Sequence, residues 1–449
     1  MTRMKESGID WIGQIPEEWE IVKFKYLFNT SKGLSITKEH LVDEGIPVIN
    51  YGQIHSSLTK QVQSCDVRLP FVANYYLSKK GVKLNQGDFV FADTSEDLEG
   101  AGNFSTRLDS TGQLLAGYHT IIARLNDYDE HYFRYFMHLF DSLAIRKQIQ
   151  NKVSGVKVYS VTQGILNSIF VIIPPKSEQQ KIADFLDKKT AQLDKARALL
   201  EEQIQKLKDY RASLIYETVT KGLDKTVPMK DSGIDWIGQV PQGWGVSKLK
   251  FILEKVSNNI KVGPFGSSLS GDAIRSSGKW VYNQRNVLDN NFTETDTFIS
   301  DAKWKELKNF SVVSGDILLT TRGTIGRIAI VPKDYFEGIL HPCLMKFRVD
   351  SHIVQPRLIK YFFNDTTLVK EQLKFLSNST TIDVIYSYNL KNIIIPIIPM
   401  EEQYSIVEYL DKQCSNVDAL IKVKQEQIDN INKQRQTLIY DYVTGKRRV

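Results

Sequence analysis

The residues Met4-Lys5-Glu6-Ser7-Gly8-Ile9-Asp10-Trp11-Ile12-Gly13-Gln14-Ile15-Pro16 return 225 positions later as Met229-Lys230-Asp231-Ser232-Gly233-Ile234-Asp235-Trp236-Ile237-Gly238-Gln239-Val240-Pro241. A match of that length and order marks an internal duplication, and self-similarity at a fixed offset governs the reading of everything between. Each copy continues to a second tryptophan, Trp19 and Trp244. Gly and Pro between paired tryptophans suit a tight buckle with the rings packed under the following domain. These tryptophans therefore read as structural rather than base-stacking.

A second matched pair lies further on, where Pro175-Lys176-Ser177-Glu178-Gln179 is answered by Pro399-Met400-Glu401-Glu402-Gln403. Each opens a stretch of some forty residues without Pro or Gly, rich in Glu, Gln, Lys, Ala and Leu. Such residues favour helix by propensity, which predicts one helix from about Ser177 to Val219 and another from about Glu401 to Val443. Leu186, Leu193, Leu200, Leu207 and Leu214 recur every seven residues, with Thr190, Ile204 and the less suitable Arg197 and Arg211 between them. The second copy carries Leu410, Cys414, Val417, Ile421, Lys424, Ile428, Ile431, Arg435 and Leu438. This 4-3 alternation predicts a coiled-coil seam; the plainer reading is two surface helices, each on its own domain. If a pseudo-two-fold axis relates the halves, the helices run antiparallel and Val449 returns near Met1.

The regions between, about 20 to 172 and 245 to 396, have diverged but keep one plan. Short apolar runs such as Ile46-Pro47-Val48-Ile49 and Ile317-Leu318-Leu319 precede an aromatic helix, around Tyr132–Phe136 in one and Leu358–Phe363 in the other. The expected fold is α+β: two mixed α/β domains joined by two long antiparallel coiled-coil helices. The expected boundaries are 1–173 for the first domain, 174–222 for its helix, 223–235 for a linker, 236–398 for the second domain and 399–449 for the last helix. Gly87-Asp88-Phe89-Val90 matches Gly315-Asp316-Ile317-Leu318, most simply as a turn before a buried strand. His119 is matched with His341, each ahead of a basic strand ending near Arg124 or near Lys346 and Arg348.

Bulk properties bound the function without choosing it. The 449 residues, 42% hydrophobic and 24% charged, suit two or three folding units, and a formal net charge of +6 permits a polyanion partner without requiring one. Cys65, Cys343 and Cys414 are odd in number and lack ligand spacing, which fits a reducing cytoplasm and no zinc site. The N-terminus is charged where a secretion signal is apolar, and the most apolar run, Ile393 to Ile398, is too short to span a membrane.

No catalytic set emerges. Gly271–Trp280 has the wrong spacing for a phosphate loop, and no Asn/Asp-Pro-Pro-Tyr/Phe run is present to hold a flipped base. Asp301, Glu306 and Lys308 fall on an expected surface helix, and His131 and His138 have no metal-ligand pattern. DNA contact is better supported. In the second domain Lys261, Phe265, Ser267 and Ser268 belong to a glycine-bearing loop able to meet phosphates, although an ordinary loop would look the same. Arg322, Thr324 and Arg327 form a similar loop whose arginines suit guanine, while Tyr282, Gln284, Arg285 and Asn286 offer amides suited to adenine. His341 completes that set. The first-domain candidates are Lys32, Gly33, Asn50, Tyr51, Gln53, Thr94, Ser95 and His119.

Over essentially its whole length the chain resembles the specificity subunit of type I restriction–modification systems. The twice-occurring Ser-Gly-Ile-Asp-Trp-Ile-Gly opening carries the resemblance, with Gly315-Asp316-Ile317-Leu318 followed by Arg322-Gly323 and Gly326, and the two Glu-Gln helix starts. It departs from symmetry where Asp93-Thr94-Ser95 stands against Thr321-Arg322-Gly323. The resemblance implies two target-recognition domains, each reading half of a split, asymmetric site in double-stranded DNA. It implies helices that hold the domains apart and dock two modification subunits. A helix of forty residues is about 60 Å long, or about 18 base-pair steps. The modification subunits would carry S-adenosylmethionine and methylate adenine N6. Two restriction subunits would use ATP and magnesium, leaving no cofactor on this chain. The alternatives are a coiled-coil protein-binding adaptor, the reader of a simpler system with a fused nuclease–methyltransferase, and an autonomous nuclease.

Overall fold

The computed structural model describes residues 3–127, 130–155, 157–265, 268–376 and 384–449. Two long helices run over Lys176–Lys221 and Met400–Val443, within three residues of the expected limits. Their matched starts have a physical reason. Glu178 and Glu402 lie in the first turn, where the helix dipole favours a carboxylate. Each accepts a hydrogen bond of 2.7 Å from a buried indole, Trp19 Nε1 and Trp244 Nε1 respectively. The neighbouring Gln179 and Gln403 donate to the carbonyls of Pro174 (2.9 Å) and Ile398 (2.8 Å). Tryptophan segment and helix start are thus two halves of one joint, present twice.

The chain forms two compact units, 1–201 with 425–449, and 202–424. Both helices contribute to each. In the first unit Phe185 packs on Tyr442 with ring centroids 4.5 Å apart, and Arg435 reaches Asp194 at 3.3 Å. In the second, Lys424 Nζ donates to Gln203 Oε1 (2.6 Å) and Arg211 reaches Asp418 at 3.2 Å. Numbering rises along one helix as it falls along the other, so the helices are antiparallel within each unit. Leu186, Ile204, Leu410, Val417 and Ile428 are buried; Leu193, Leu200, Leu207, Leu214, Ile421, Ile431 and Leu438 are half-buried. The end of the chain joins the first unit, where Tyr440 Oη donates to the carbonyl of Trp11 (2.8 Å). Within 223–235, read from sequence as linker, Met229–Asp231 instead forms a strand paired with Gln239–Pro241, as Met4–Glu6 pairs with Gln14–Pro16. Polar composition hid a short ribbon whose first strand is exposed and whose second buries Val240 and Pro241.

The globular parts share a sheet order. In the first unit Phe28–Lys32, Thr120–Leu125, Phe89–Ala92, Phe104–Arg107 and Lys60–Val62 lie side by side, and in the second Lys261–Val262, Leu344–Phe347, Ile317–Thr320 and Ile328–Ile330 repeat the first four places. A second small sheet in each contains a parallel pair, Ile46–Ile49 with Leu115–Ala116 and Lys279–Tyr282 with Gly338–Leu340. The cores are filled differently. Phe24, Phe28, Phe89, Phe91, Phe104, Phe136 and Phe140 pack ring on ring in the first, whereas Ile317, Leu319, Ile328, Met345, Leu358 and Ile359 dominate the second. The frame survives because polar anchors are kept: Gln148 bonds both backbone groups of Phe170, and Gln372 those of Ile394.

Candidate nucleic-acid interface

The Gly-Asp pair is a turn before a buried strand in both units. Gly87 and Gly315 each have φ 83°. The buried Asp88 carboxylate accepts from Asn85 N (2.6 Å) and pairs with Arg124 at 2.5 Å. Asp316 accepts from Val313 N (3.0 Å) and pairs with Lys346 (2.9 Å) and Arg348 (2.6 Å). The basic strand therefore spends its charge on a buried carboxylate.

These turns aim the chain so that the far end of each central strand meets three other segments. In the first unit Gly33 N donates to Thr120 O (3.0 Å), and Asp93 N donates to His119 O (3.1 Å). In the second, Gly263 N donates to Leu344 O (2.9 Å) and Thr321 N to Cys343 O (2.9 Å). Gly33 thus corresponds to Gly263, and a Cβ on either would sit about 2 Å from a carbonyl oxygen, that of Gly117 or of His341. Only glycine permits that approach. The same bonds correct the sequence pairing of the histidines: His119 corresponds to Cys343, and His341 to Gly117. A two-residue offset hid this because flanking residues had diverged. They also place Asp93-Thr94-Ser95 opposite Thr321-Arg322-Gly323, as read from sequence.

The fourth segment is a one-turn helix closed by a capping box. Asn50 N donates to Gln53 Oε1 (3.1 Å) before helix Tyr51–His55, and Asn283 N donates to Asn286 Oδ1 (2.9 Å) before Gln284–Leu288. Asn50 Oδ1 also accepts from Tyr118 N (3.0 Å), while Asn286 Nδ2 donates to the carbonyls of Asn291 and Glu294, both at 3.0 Å.

Several candidates consequently belong to the scaffold. Asn50, Ser95, Tyr282 and Asn286 are buried. Ser95 Oγ donates to Asp97 O (2.7 Å), and Tyr282 Oη donates to Phe336 O (2.6 Å), with burial pushing the phenol up to about 12. Gln53 serves its cap, and Arg327 Nη1 donates to Asn364 O (2.6 Å) at a helix end. Their polarity satisfies the fold, which sequence alone could not distinguish from polarity aimed at a base. We correct these six from contact residues to positioning residues.

What remains at the surface differs between the units. In the first, Tyr51 is half-buried and meets Tyr118, His119 and His55 edge-on at 5.8, 5.3 and 6.3 Å. His119 is exposed at φ 55°, 3.1 Å from Asp93, beside half-buried Thr94; Lys32 is exposed. In the second, Arg285, Arg322 and Thr324 are exposed, and half-buried Gln284 donates to Thr324 O (3.4 Å). His341 is half-buried, and its titration is moved down by burial and then by the Arg322 charge. Its Nδ1 accepts from Cys343 N (3.2 Å), leaving Nε2–H as a donor at neutral pH. Phe265 is 87% exposed, Lys261 Nζ stands 4.9 Å over the Phe310 ring, and Ser268 is half-buried. Ser267 lies outside the described residues.

Sequence reading missed His55 and Tyr118. His55 Nε2 donates to Thr94 O (2.7 Å) and its Nδ1 accepts from Asn103 (3.0 Å), bracing the loop under Tyr51. The four-residue step from Tyr51 to His55 was the available signal. Among the described residues no group of three or more His, Cys, Asp or Glu is placed to hold a metal ion, and no helix is long and apolar enough to cross a membrane.

One α/β frame repeated with unlike loops at the same edge, each copy leading into a long helix, defines a tandem recognition protein. The chain belongs to the type I restriction modification DNA specificity domain family, whose model matches it over residues 16–208 and again over 241–432. It is 24% identical over 444 residues to a putative type I restriction enzyme MjaX specificity subunit of Methanocaldococcus jannaschii, covering 98% of this chain and 96% of that one. To the EcoKI specificity subunit of Escherichia coli K12 it is 22% identical over 448 residues, covering 97% and 90%. A solved structure described as the basis of complex assembly and conformational transition of the type I R-M system shares the fold, with TM-score 0.69 at 18% identity over 96% of this chain and 99% of that chain.

Proposed function

We propose that this chain is the non-catalytic sequence reader of a type I restriction–modification complex. Each α/β domain reads one half of a bipartite, asymmetric site in double-stranded DNA. The long helices set the spacer and offer docking surfaces to two modification subunits. One observation carries this reading: caps, ion pairs and joints are the same in both units, whereas the residues left exposed at the equivalent edge are different. An equal frame with unequal loops suits two different half-sites read in one register.

Arg322 offers a bidentate fork for guanine O6 and N7, and Gln284 an amide for adenine. Lys32, Arg285 and Thr324 suit phosphates, which position without specifying. Tyr51, His119 and Thr94 present mixed aromatic and polar edges in the first half. The modification subunits would supply S-adenosylmethionine and the adenine-N6 transfer, and two restriction subunits the ATP- and magnesium-dependent steps, all in the cytoplasm. The test is genome-wide detection of methyladenine with and without this gene, in cells lacking a second reader. A bipartite methylated motif that disappears with the gene is expected; unchanged methylation overturns the reading. Neighbouring genes for separate subunits, rather than a fused nuclease–methyltransferase, distinguish the two kinds of system. Salt-insensitive, sequence-indifferent behaviour of the assembled complex would favour an adaptor instead.

A further inference from the structure

His55, Asn103 and Arg146 come from three separate stretches of the first unit, are all half-buried, and form one chain of hydrogen bonds. Arg146 Nη2, on helix Leu143–Gln150, donates to Asn103 Oδ1 (2.8 Å) and to the carbonyl of Glu99. Asn103 Nδ2 donates to His55 Nδ1 (3.0 Å), and His55 Nε2 donates to Thr94 O (2.7 Å). The two ends dictate the direction of every bond between them, because a guanidinium only donates and a carbonyl only accepts. Arg146 fixes which way the Asn103 amide faces, the amide fixes the His55 tautomer, and the tautomer aims an N–H at Thr94. The loop that follows Thr94 is wound against this ring: a Cβ on Gly100 would sit 3.3 Å from His55 Nδ1.

The second unit keeps the frame and lacks the chain. Ala92 N donates to Asn103 O (3.0 Å) as Thr320 N donates to Arg327 O (2.9 Å), so Arg327 stands in the place of Asn103. The preceding glycines also correspond, since a Cβ on Gly102 or Gly326 would meet Ile149 Cδ1 or Leu373 Cδ1 at 3.0 Å. The matched anchors Gln148 and Gln372 put Lys370 in the place of Arg146. The matched caps at Asn50 and Asn283 put Leu288 in the place of His55. Leu288 has no side-chain group to donate, and Arg327 turns instead to Asn364 O (2.6 Å). All three linked positions differ while the frame around them is the same, so the chain serves one recognition loop rather than the fold.

We infer that His55, Asn103 and Arg146 are positioning residues that set the base discrimination of the first domain through the carbonyl of Thr94. This rests on the reader function proposed above and deepens it. His55 lies one helical turn beyond Tyr51, so its bond to Thr94 O locks the short helix carrying Tyr51 to the loop carrying Thr94. Arg146 ties both to the domain helix. Recognition groups discriminate only when held to within about 0.5 Å of their pairing geometry by supporting hydrogen bonds. Cutting the chain loosens two reading segments at once.

The experiment measures methylation rates of the full complex, formed with the modification subunit of its own system, on the cognate site and on sites with single-base substitutions in either half. His55→Leu, which installs the residue found in the second unit, should reduce discrimination about five- to tenfold in one half-site and leave the other half unchanged. His55→Gln should restore most of it, because its amide nitrogen can still donate to Thr94 O. Arg146→Met cuts the chain at its far end and should loosen the same half. The double variant His55→Leu/Arg146→Met should be no looser than His55→Leu alone, since one chain is cut twice. Melting of each variant is followed in parallel, and Arg146→Met carries the test if His55→Leu melts low. Unchanged discrimination in normally melting variants overturns the inference and leaves the reader function standing. Equal loosening of both halves, additive effects in the double variant, or no rescue by glutamine also overturns it. A wild-type complex without a bipartite site overturns the reader function itself.

Discussion

Asp88 and Asp316 hold equivalent positions in two domains that have otherwise diverged, and each neutralises cations that a charge count would have offered to DNA. Removing one partner of a buried pair strands the other. Asp316→Ala should therefore destabilise the chain by about 2–3 kcal/mol, less than the buried extreme because Lys346 and Arg348 are partly solvated; chemical denaturation measures this. Asp141 makes a pH prediction. Burial pushes its carboxyl up, but Lys60 (2.8 Å) and Arg435 (2.8 Å) more than offset this and hold it at about 2. Lys60 itself is pushed down, first by burial and further by the neighbouring Arg435 charge, against the opposing pull of Asp141. Because the folded value lies below 3.8, the stabilising contribution is full above about pH 4 and is lost as pH falls towards 2. Asp141→Asn should flatten the acid limb of the stability–pH curve over that window. At the reading edge, Arg322→Ala should cost about 1–3 kcal/mol of discrimination at one base pair of one half-site. Methylation rates on single-base substituted sites check this, and an equal loss across all sequences would mark Arg322 as a phosphate contact.

Among the elements, the long helices show how sequence exceptions acquire a reason. Arg211 and Arg435 interrupt an apolar seam, yet each joins an aspartate near the end of a domain helix to one on the facing long helix. Arg211 meets Asp365 (2.8 Å) and Asp418 (3.2 Å); Arg435 meets Asp141 (2.8 Å) and Asp194 (3.3 Å). Polar groups of this kind, buried at Arg435 and Asp141 and part-buried at Arg211 and Asp365, can fix register, because any slip leaves them unpaired. Arg435→Met should lower stability by about 2 kcal/mol and broaden the unfolding transition, whereas Leu186→Ala, at a fully buried site, should cost about 3 kcal/mol without that broadening. The seam leucines were legible because heptads are a local pattern. The arginines were not, because Asp365 and Asp141 are remote in sequence. The capping boxes tell the same story in reverse: Gln53 and Asn286 offered amides for DNA until their partners, Asn50 N and Asn283 N, came into place.

For the whole molecule, the unequal duplication makes two forecasts. A chain in which residues 245–396 are replaced by 20–172 should direct methylation to a symmetric site made of two first-domain half-sites; an unchanged asymmetric motif would refute assignment of one half-site to each domain. Extending both long helices by the same whole number of turns should lengthen the unread spacer at about 5.4 Å per turn. A constant spacer would remove the helices from that role.

The sequence by itself determined the duplication, the two helices, their seam, the α/β character of the divergent parts and the family resemblance. All of these depend on local periodicity or on comparison of one stretch with another. Tertiary structure decided which polar residues remain free to meet a ligand. Ser95, Tyr282, Asn286 and Arg327 have the right chemistry for DNA, but backbone groups distant in sequence, or hidden in a turn, already claim them, and Asn50 is buried with its Oδ1 held by Tyr118 N. Hydrogen-bond capacity is a property of the residue; whether it is spent depends on neighbours that only the fold assembles.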